Sequence, residues 1–123
     1  MIAGSLTDLQ FSALPGRTAA DPLPDAAGHG LSTRVVQVTE ARRTLHRHPH
    51  SAELTYVLSG RGEHVQGDER RAVAAGDLVL VPAGVPHATT ADPSAPLTLL
   101  CVFPHPDLPS NIEELDQEVV FGG

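Results

Sequence analysis

The stretch Thr44–Glu53, TLHRHPHSAE, sets imidazoles at alternate positions, His46, His48 and His50, and ends on the carboxylate of Glu53. Imidazole nitrogen and carboxylate oxygen are common ligands of divalent transition metals. A histidine cluster beside a proline is also what a solvated turn looks like, so this stretch alone leaves both readings open. A second stretch, Gly76–Thr90 (GDLVLVPAGVPHATT), adds a remote histidine. There an apolar strand, Leu78–Val81, read as buried, runs into Pro82-Ala83-Gly84-Val85-Pro86 and then His87. The two prolines fix their own φ and the glycine can adopt positive φ, so the turn would hold His87 rigidly. Metal ligands need such stiff supports.

The elements around these residues read as short β-runs bounded by turn residues. TRVVQVT (Thr33–Thr39), ELTYVLS (Glu53–Ser59), RGEHVQ (Arg61–Gln66), DLVLVP (Asp77–Pro82) and PLTLLCVF (Pro96–Phe103) are the strand candidates. Gly60, Gly67-Asp68 and Gly76-Asp77 break them. Many short strands with no helical period between them argue for an all-β sandwich or small barrel. Before them, residues 1–32 form an N-terminal arm. Within it Leu14–Gly30 is too rich in proline and glycine to keep either period and reads as an extended segment over the domain. The barrel itself spans 33–109. In 110–123, Ser110 followed by Glu113 fits a capping box, which predicts a short C-terminal helix over SNIEELDQE.

Composition narrows the function classes. The 123 residues fit one domain with a single core. The net charge of -7 and the absence of a basic stripe disfavour nucleic acid, and no helix-turn-helix pattern offsets this. All eight basic residues are arginine, so no lysine is present for Schiff-base chemistry. The single cysteine, Cys101, excludes an internal disulfide and a multi-thiolate zinc site. No apolar run is long enough to cross a bilayer, and the first residues do not read as a secretory signal, so a cytoplasmic protein is expected. In ELTYVLSG, alternation puts Glu53, Thr55 and Val57 on one face and Leu54, Tyr56 and Leu58 on the other. If Glu53 points inward, the second face is apolar yet outside and needs a cover, from the arm or from a second subunit; a homodimer is expected on this ground.

The spacing of both stretches resembles the two motifs of the cupins. His46-Arg47-His48, four residues, Glu53, six residues and Gly60 fit the HxH-x4-E-x6-G part of the first motif, with Glu40 where the leading glycine belongs. Gly76, Pro82, Gly84 and His87 fit the second, G-x5-P-x-G-x2-H-x3-N, with Ala91 in place of its asparagine. Fifteen residues lie between Gly60 and Gly76, similar to the short form of the family's inter-motif region. The resemblance covers roughly residues 34–103. It implies a double-stranded β-helix, a small jelly-roll barrel, holding one divalent metal (Fe, Mn, Ni, Zn, Co or Cu) on His46, His48, Glu53 and His87. It also chooses between the histidine pairs, because the pair His48 and His50 would leave only Ser51 and Ala52 before Glu53, which is too short a spacing. His50 then falls outside the ligand set, as an exposed turn residue or a group behind the ligands.

Three other residues are candidates for roles around the metal. His64 is mid-strand and would line the barrel as an acid/base group, while Arg34 and Gln37 could reach a substrate carboxylate or hydroxyl from its wall. His105 and His29 read as loop residues without a role, Tyr56 as packing, and Cys101 as a small core residue. The functional expectation is a metal-dependent enzyme acting on a small organic molecule, with oxygenase chemistry placed ahead of Lewis-acid isomerase, cyclase or lyase chemistry. The alternative is a non-catalytic module that senses a metal or a small ligand.

Overall fold

The computed structural model describes residues 1–123. Eleven strands run through it: β1 Ser12–Leu14, β2 Arg17–Ala20, β3 Ser32–Val38, β4 Arg42–Arg47, β5 Glu53–Ser59, β6 Arg61–Gln66, β7 Glu69–Ala74, β8 Leu78–Val81, β9 His87–Ala91, β10 Leu97–Phe103 and β11 Glu113–Val120. Two short 3₁₀ turns, Pro24–His29 and Leu108–Asn111, are the only helical pieces. The strands form a six-stranded sheet ordered β1-β2-β3-β10-β5-β8 and a five-stranded sheet ordered β11-β4-β9-β6-β7. All pairings are antiparallel. This is the all-β jelly-roll barrel, the double-stranded β-helix, that the motifs imply.

The period of two along β10 shows how the sequence builds it. Leu97, Leu99, Cys101 and Phe103 are buried, while Thr98, Leu100 and Val102 between them are only partly so. The inward set joins Val38, Val57, Val73 and Ala91 in one cluster fed by both sheets. Burying each such aliphatic side chain contributes on the order of 1.5–3 kcal/mol. Cys101 and Phe103 of this cluster border a group of buried polar side chains that includes His46, His48, Glu53 and His87.

Three expectations are corrected. The C-terminal segment is a strand, not a helix. The Ser110 hydroxyl donates to the Asp107 carbonyl (3.1 Å) within a short 3₁₀ turn, and Glu113 already begins the strand. The unpaired edge of β4 takes β11 as its partner instead, and the arginines of RRTLHR meet the carboxylates of EELDQEVV. Arg47 forks onto Glu113 (2.9 and 3.1 Å) and Arg42 pairs with Glu118. Leu115 and Val119 pack with Leu45, Val65 and Ala88. Tertiary pairing thus outweighs the low strand propensity of Asp and Glu.

The N-terminal stretch is also more regular than an extended arm. β1 and β2 form a hairpin turned at Gly16 (φ +70°), and β2 adds to the sheet beside β3. Finally, β8 is not a buried strand. It is the edge of the six-stranded sheet, so only Val81 is buried, and Leu78 and Leu80 point outward at 57% and 62% exposure. On neighbouring β5, Leu54 and Tyr56 are 45% and 38% exposed, which continues the apolar face expected from alternation.

Candidate metal centre

Three pieces of chain bring the site together. β4 pairs with β9 so that His46 stands directly opposite His87. β5 begins at Glu53, whose side chain shares the inward face with Thr55 and Val57. The Pro82–Pro86 turn is tied to the first motif, because the Gly84 N–H donates to the His48 carbonyl (2.8 Å) and Gly84 takes φ +79°. A side chain at residue 84 would be strained in that backbone conformation, which accounts for the glycine. The resulting cluster of His46, His48, Glu53 and His87 has one ligand atom from each residue, all within 4.8 Å of one another. The ring centroids of His46 and His87 are 4.3 Å apart, and that of His48 is 5.1 Å from each.

The hydrogen bonds around the cluster fix which nitrogens face inward. His48 donates from Nδ1 to the Asn111 carbonyl (2.9 Å), and His87 donates from Nδ1 to the Val85 carbonyl (2.9 Å). A carbonyl can only accept, so in each neutral ring the proton sits on Nδ1 and Nε2 carries a lone pair. Both Nε2 atoms face the same oxygen, Glu53 Oε1, at 3.3 Å from His48 and 2.8 Å from His87. Lone pairs converging on a carboxylate require positive charge between them, either protons or a metal ion. Burial, followed by the charges of His87, Arg43 and Arg17, holds His46 well below its usual value of 6.5, so that ring is neutral. Burial alone would push the Glu53 carboxyl up. Its hydrogen bonds to His48 and His87 and their charges outweigh that and hold it well below the ordinary range. Neutral imidazole and ionised carboxylate are the forms that bind metal. The four residues therefore fit a divalent transition ion.

Asn111 is a support that the sequence did not point to. It is fully buried, and its backbone carbonyl orients His48. Its side chain accepts from the His50 N–H (2.7 Å) and donates to Ser51 Oγ (2.8 Å). The chain just before β11 is thereby fastened to the loop between the two HxH histidines and Glu53. The signal for it, a polar residue destined for the interior, is invisible without the return path of β11.

The remaining candidates fall in different places. His50 is exposed, and its ring stacks on His105 at 5.7 Å. His64 is buried one strand beyond His87, with 6.0 Å between ring centroids, and bonds Thr89 Oγ1 (3.1 Å) and Gln66 Oε1 (2.9 Å). Burial lowers its pKa. Arg34 lines the small cavity beside the cluster and is paired with Asp21 (3.0 Å). Gln37, three residues along the same strand, is exposed on the opposite face beside Thr18 and does not meet the cluster. Burial and the nearby Glu53 push the Cys101 thiol well up, so it stays protonated and inert. The cavity measures about 40 Å³ and is walled by Arg17, Arg34, Val36, Phe103, Leu108 and Ile112 among others.

Residues 33–103 match the family described as Cupin domain. The chain belongs to the cupin family. Among characterised folds, this cupin is similar to oxalate decarboxylase from Bacillus subtilis, with a TM-score of 0.76 and 24% identity over 94% of this chain and 32% of that one. It is also similar to the polyketide cyclase RemF from Streptomyces resistomycificus, with a TM-score of 0.74 and 21% identity over 95% of this chain and 87% of that one. At these identities the likeness establishes the fold alone. A curated relative, an uncharacterized protein of Methanocaldococcus jannaschii, is 34% identical over 61 residues, half of this cupin and 49% of that protein. The cupin therefore spans about half of that relative and about a third of the decarboxylase.

Proposed function

We propose that this cupin is a metal-dependent enzyme acting on a small organic molecule, with one divalent ion on His46, His48, Glu53 and His87. The observation that carries the reading is the convergence of two Nε2 lone pairs and a carboxylate oxygen, fixed from behind by the Asn111 and Val85 carbonyls. His46, His48, Glu53 and His87 would hold the ion, and a bound ion would supply Lewis-acid polarisation of a carbonyl or enolate. The chain's own contribution is a small chamber and two imidazoles, His48 and His87, oriented by backbone carbonyls. The similar structures, a decarboxylase and a cyclase, support this polarising chemistry ahead of the oxygenase chemistry that was expected first.

A screen of small carbonyl and hydroxyl compounds under nitrogen, read by NMR with the Zn(II)- and Fe(II)-loaded protein, tests it. Substrate loss without oxygen is the expected result. Loss that requires Fe(II) and O₂ would overturn the polarising version, and binding without turnover of any compound would favour the non-catalytic module.

We also propose that the protein is a homodimer. The outward faces of β5 and β8 present Leu54, Tyr56, Leu78 and Leu80 as one apolar surface, and a self-complementary patch of this kind suits a two-fold interface. The buried single thiol and the acidic balance fit a cytoplasmic protein with a small-molecule ligand rather than nucleic acid.

A further inference from the structure

The two sheets part on one side of the barrel. β7 is the last strand of the five-stranded sheet and β8 the last of the six-stranded one, and although they are consecutive in the chain they do not pair. Between their edges lies a cleft of about 240 Å³, against about 40 Å³ for the cavity beside the metal cluster. Strand register decides what faces it. Val73 of β7 is buried in the barrel core opposite Gly62, so the period of two turns Arg71 and Glu69 to that same face, opposite His64 and Gln66 of β6. Arg70, between them, is paired with Glu63. Arg71 reaches a carboxylate, that of Asp77, only at 3.9 Å, and the Glu69 carboxylate pairs with no cation.

On an open surface two such charges would be ordinary solvated side chains. Here they share a cleft with walls of a different kind. At the back, His64 donates from Nε2 to Gln66 Oε1 (2.9 Å), which leaves the Gln66 amide N–H groups as donors for a ligand. Opposite, the edge of β8 is apolar, with Leu78, Val79 and Leu80. One cation, one anion and an apolar wall define a complementary molecule. The charges of Arg71 and Glu69 cancel, so a zwitterion enters without leaving either of them uncompensated, whereas a simple anion or cation would leave one. With about 30 Å³ for each liquid water as the scale, the cleft admits roughly ten heavy atoms.

From this geometry we infer that the cleft between β7 and β8 binds a free α-amino acid with an apolar side chain. Its carboxylate lies on Arg71 and the Gln66 amide, its ammonium on Glu69, and its side chain along the edge of β8. His64 neighbours His87, with 6.0 Å between ring centroids, but no candidate metal ligand lines the cleft, so this site stands apart from the metal-centre reading. Calorimetric titration of chelator-treated protein tests it, with L-leucine and three compounds that each lack one feature: 4-methylpentanoate (no ammonium), 3-methylbutylamine (no carboxylate) and glycine (no apolar side chain). The proteins are the wild type, Arg71→Gln, Glu69→Gln and the control Arg61→Gln, whose arginine is tied to Asp92 at the start of β6.

Leucine should bind the wild type and Arg61→Gln alike, and each of the three reduced compounds should bind about tenfold more weakly. Arg71→Gln should lose about tenfold for leucine and leave 3-methylbutylamine unchanged, while Glu69→Gln should lose as much for leucine and leave 4-methylpentanoate unchanged. Both residues are exposed, so both variants should keep the wild-type Tm. In ¹H–¹⁵N spectra the leucine-induced shifts should centre on β6, β7 and β8. No leucine binding by the wild type, unchanged leucine affinity in either variant, or shifts centred elsewhere would overturn the inference. Leucine binding that appears only after zinc loading would also overturn it, by moving the ligand to the metal centre. A protein that takes up no zinc yet binds leucine as described would overturn the metal centre and leave the cleft site standing.

Discussion

Asn111→Ala is the substitution that most sharply separates this account from one in which the ligands position themselves. The residue touches no ligand atom with its side chain, yet that side chain clamps the 50–51 loop and holds its own carbonyl against His48. Truncation removes two hydrogen bonds, at 2.7 and 2.8 Å, and leaves the His50 N–H and the Ser51 hydroxyl without their partner. It also opens space where a fully buried side chain stood. Unsatisfied groups of this kind cost about 1–3 kcal/mol each, so a total of roughly 2–4 kcal/mol is expected. For a chain of this length that corresponds to a Tm lower by about 10 °C. Loosening the partner behind a metal-ligating histidine typically weakens metal binding by about 10- to 100-fold. Thermal denaturation of the metal-free protein gives the first quantity, and competition against a chelator gives zinc affinity. A variant with wild-type Tm and wild-type zinc affinity would refute the claim that Asn111 sets the orientation of His48.

Metal-free protein should lose stability as the pH falls from about 7.5 to 5.5. Burial holds His46 and His64 below 6.5, so the unfolded chain takes up protons that the folded chain refuses; their stabilisation is present above 6.5 and lost as the pH drops through the folded values. A urea midpoint that does not move over this range would contradict the buried neutral rings. His50→Ala should keep near-normal metal occupancy by elemental analysis, and loss of metal there would reverse the choice between the two histidine pairs. Leu80→Glu, on the exposed face of β8, should shift a dimer to monomer in analytical ultracentrifugation, and an unchanged sedimentation coefficient would remove that face from the interface.

The barrel was legible wherever strand residues alternate or run apolar, as in ELTYVLS and PLTLLCVF, because side-chain period reports directly on sheet faces. β4 and β9 were not, although they carry two of the four candidate ligands, His46 and His87. RRTLHR is too basic and HATTA too small and polar to look like strands, and their side-by-side place in the five-stranded sheet, with His46 set against His87, is a tertiary pairing that no local period reports. β11 was misread because EELDQE has helical local preferences, and its strand conformation comes from pairing with β4, the arginines of β4 and β2, and the packing of Leu115 and Val119. The candidate metal ligands could be named from the resemblance to the two cupin motifs, in which Gly84 and the prolines mark the turn that carries His87. Asn111 could not, because it gains its meaning from chain far away in sequence.

Metal content of the purified and zinc-reconstituted protein, determined by elemental analysis beside His87→Ala, is the most direct test of the central claim. About one divalent ion per wild-type chain, most of it lost in the variant, is the predicted result. Full retention by His87→Ala, or no ion on the reconstituted wild type, would contradict it.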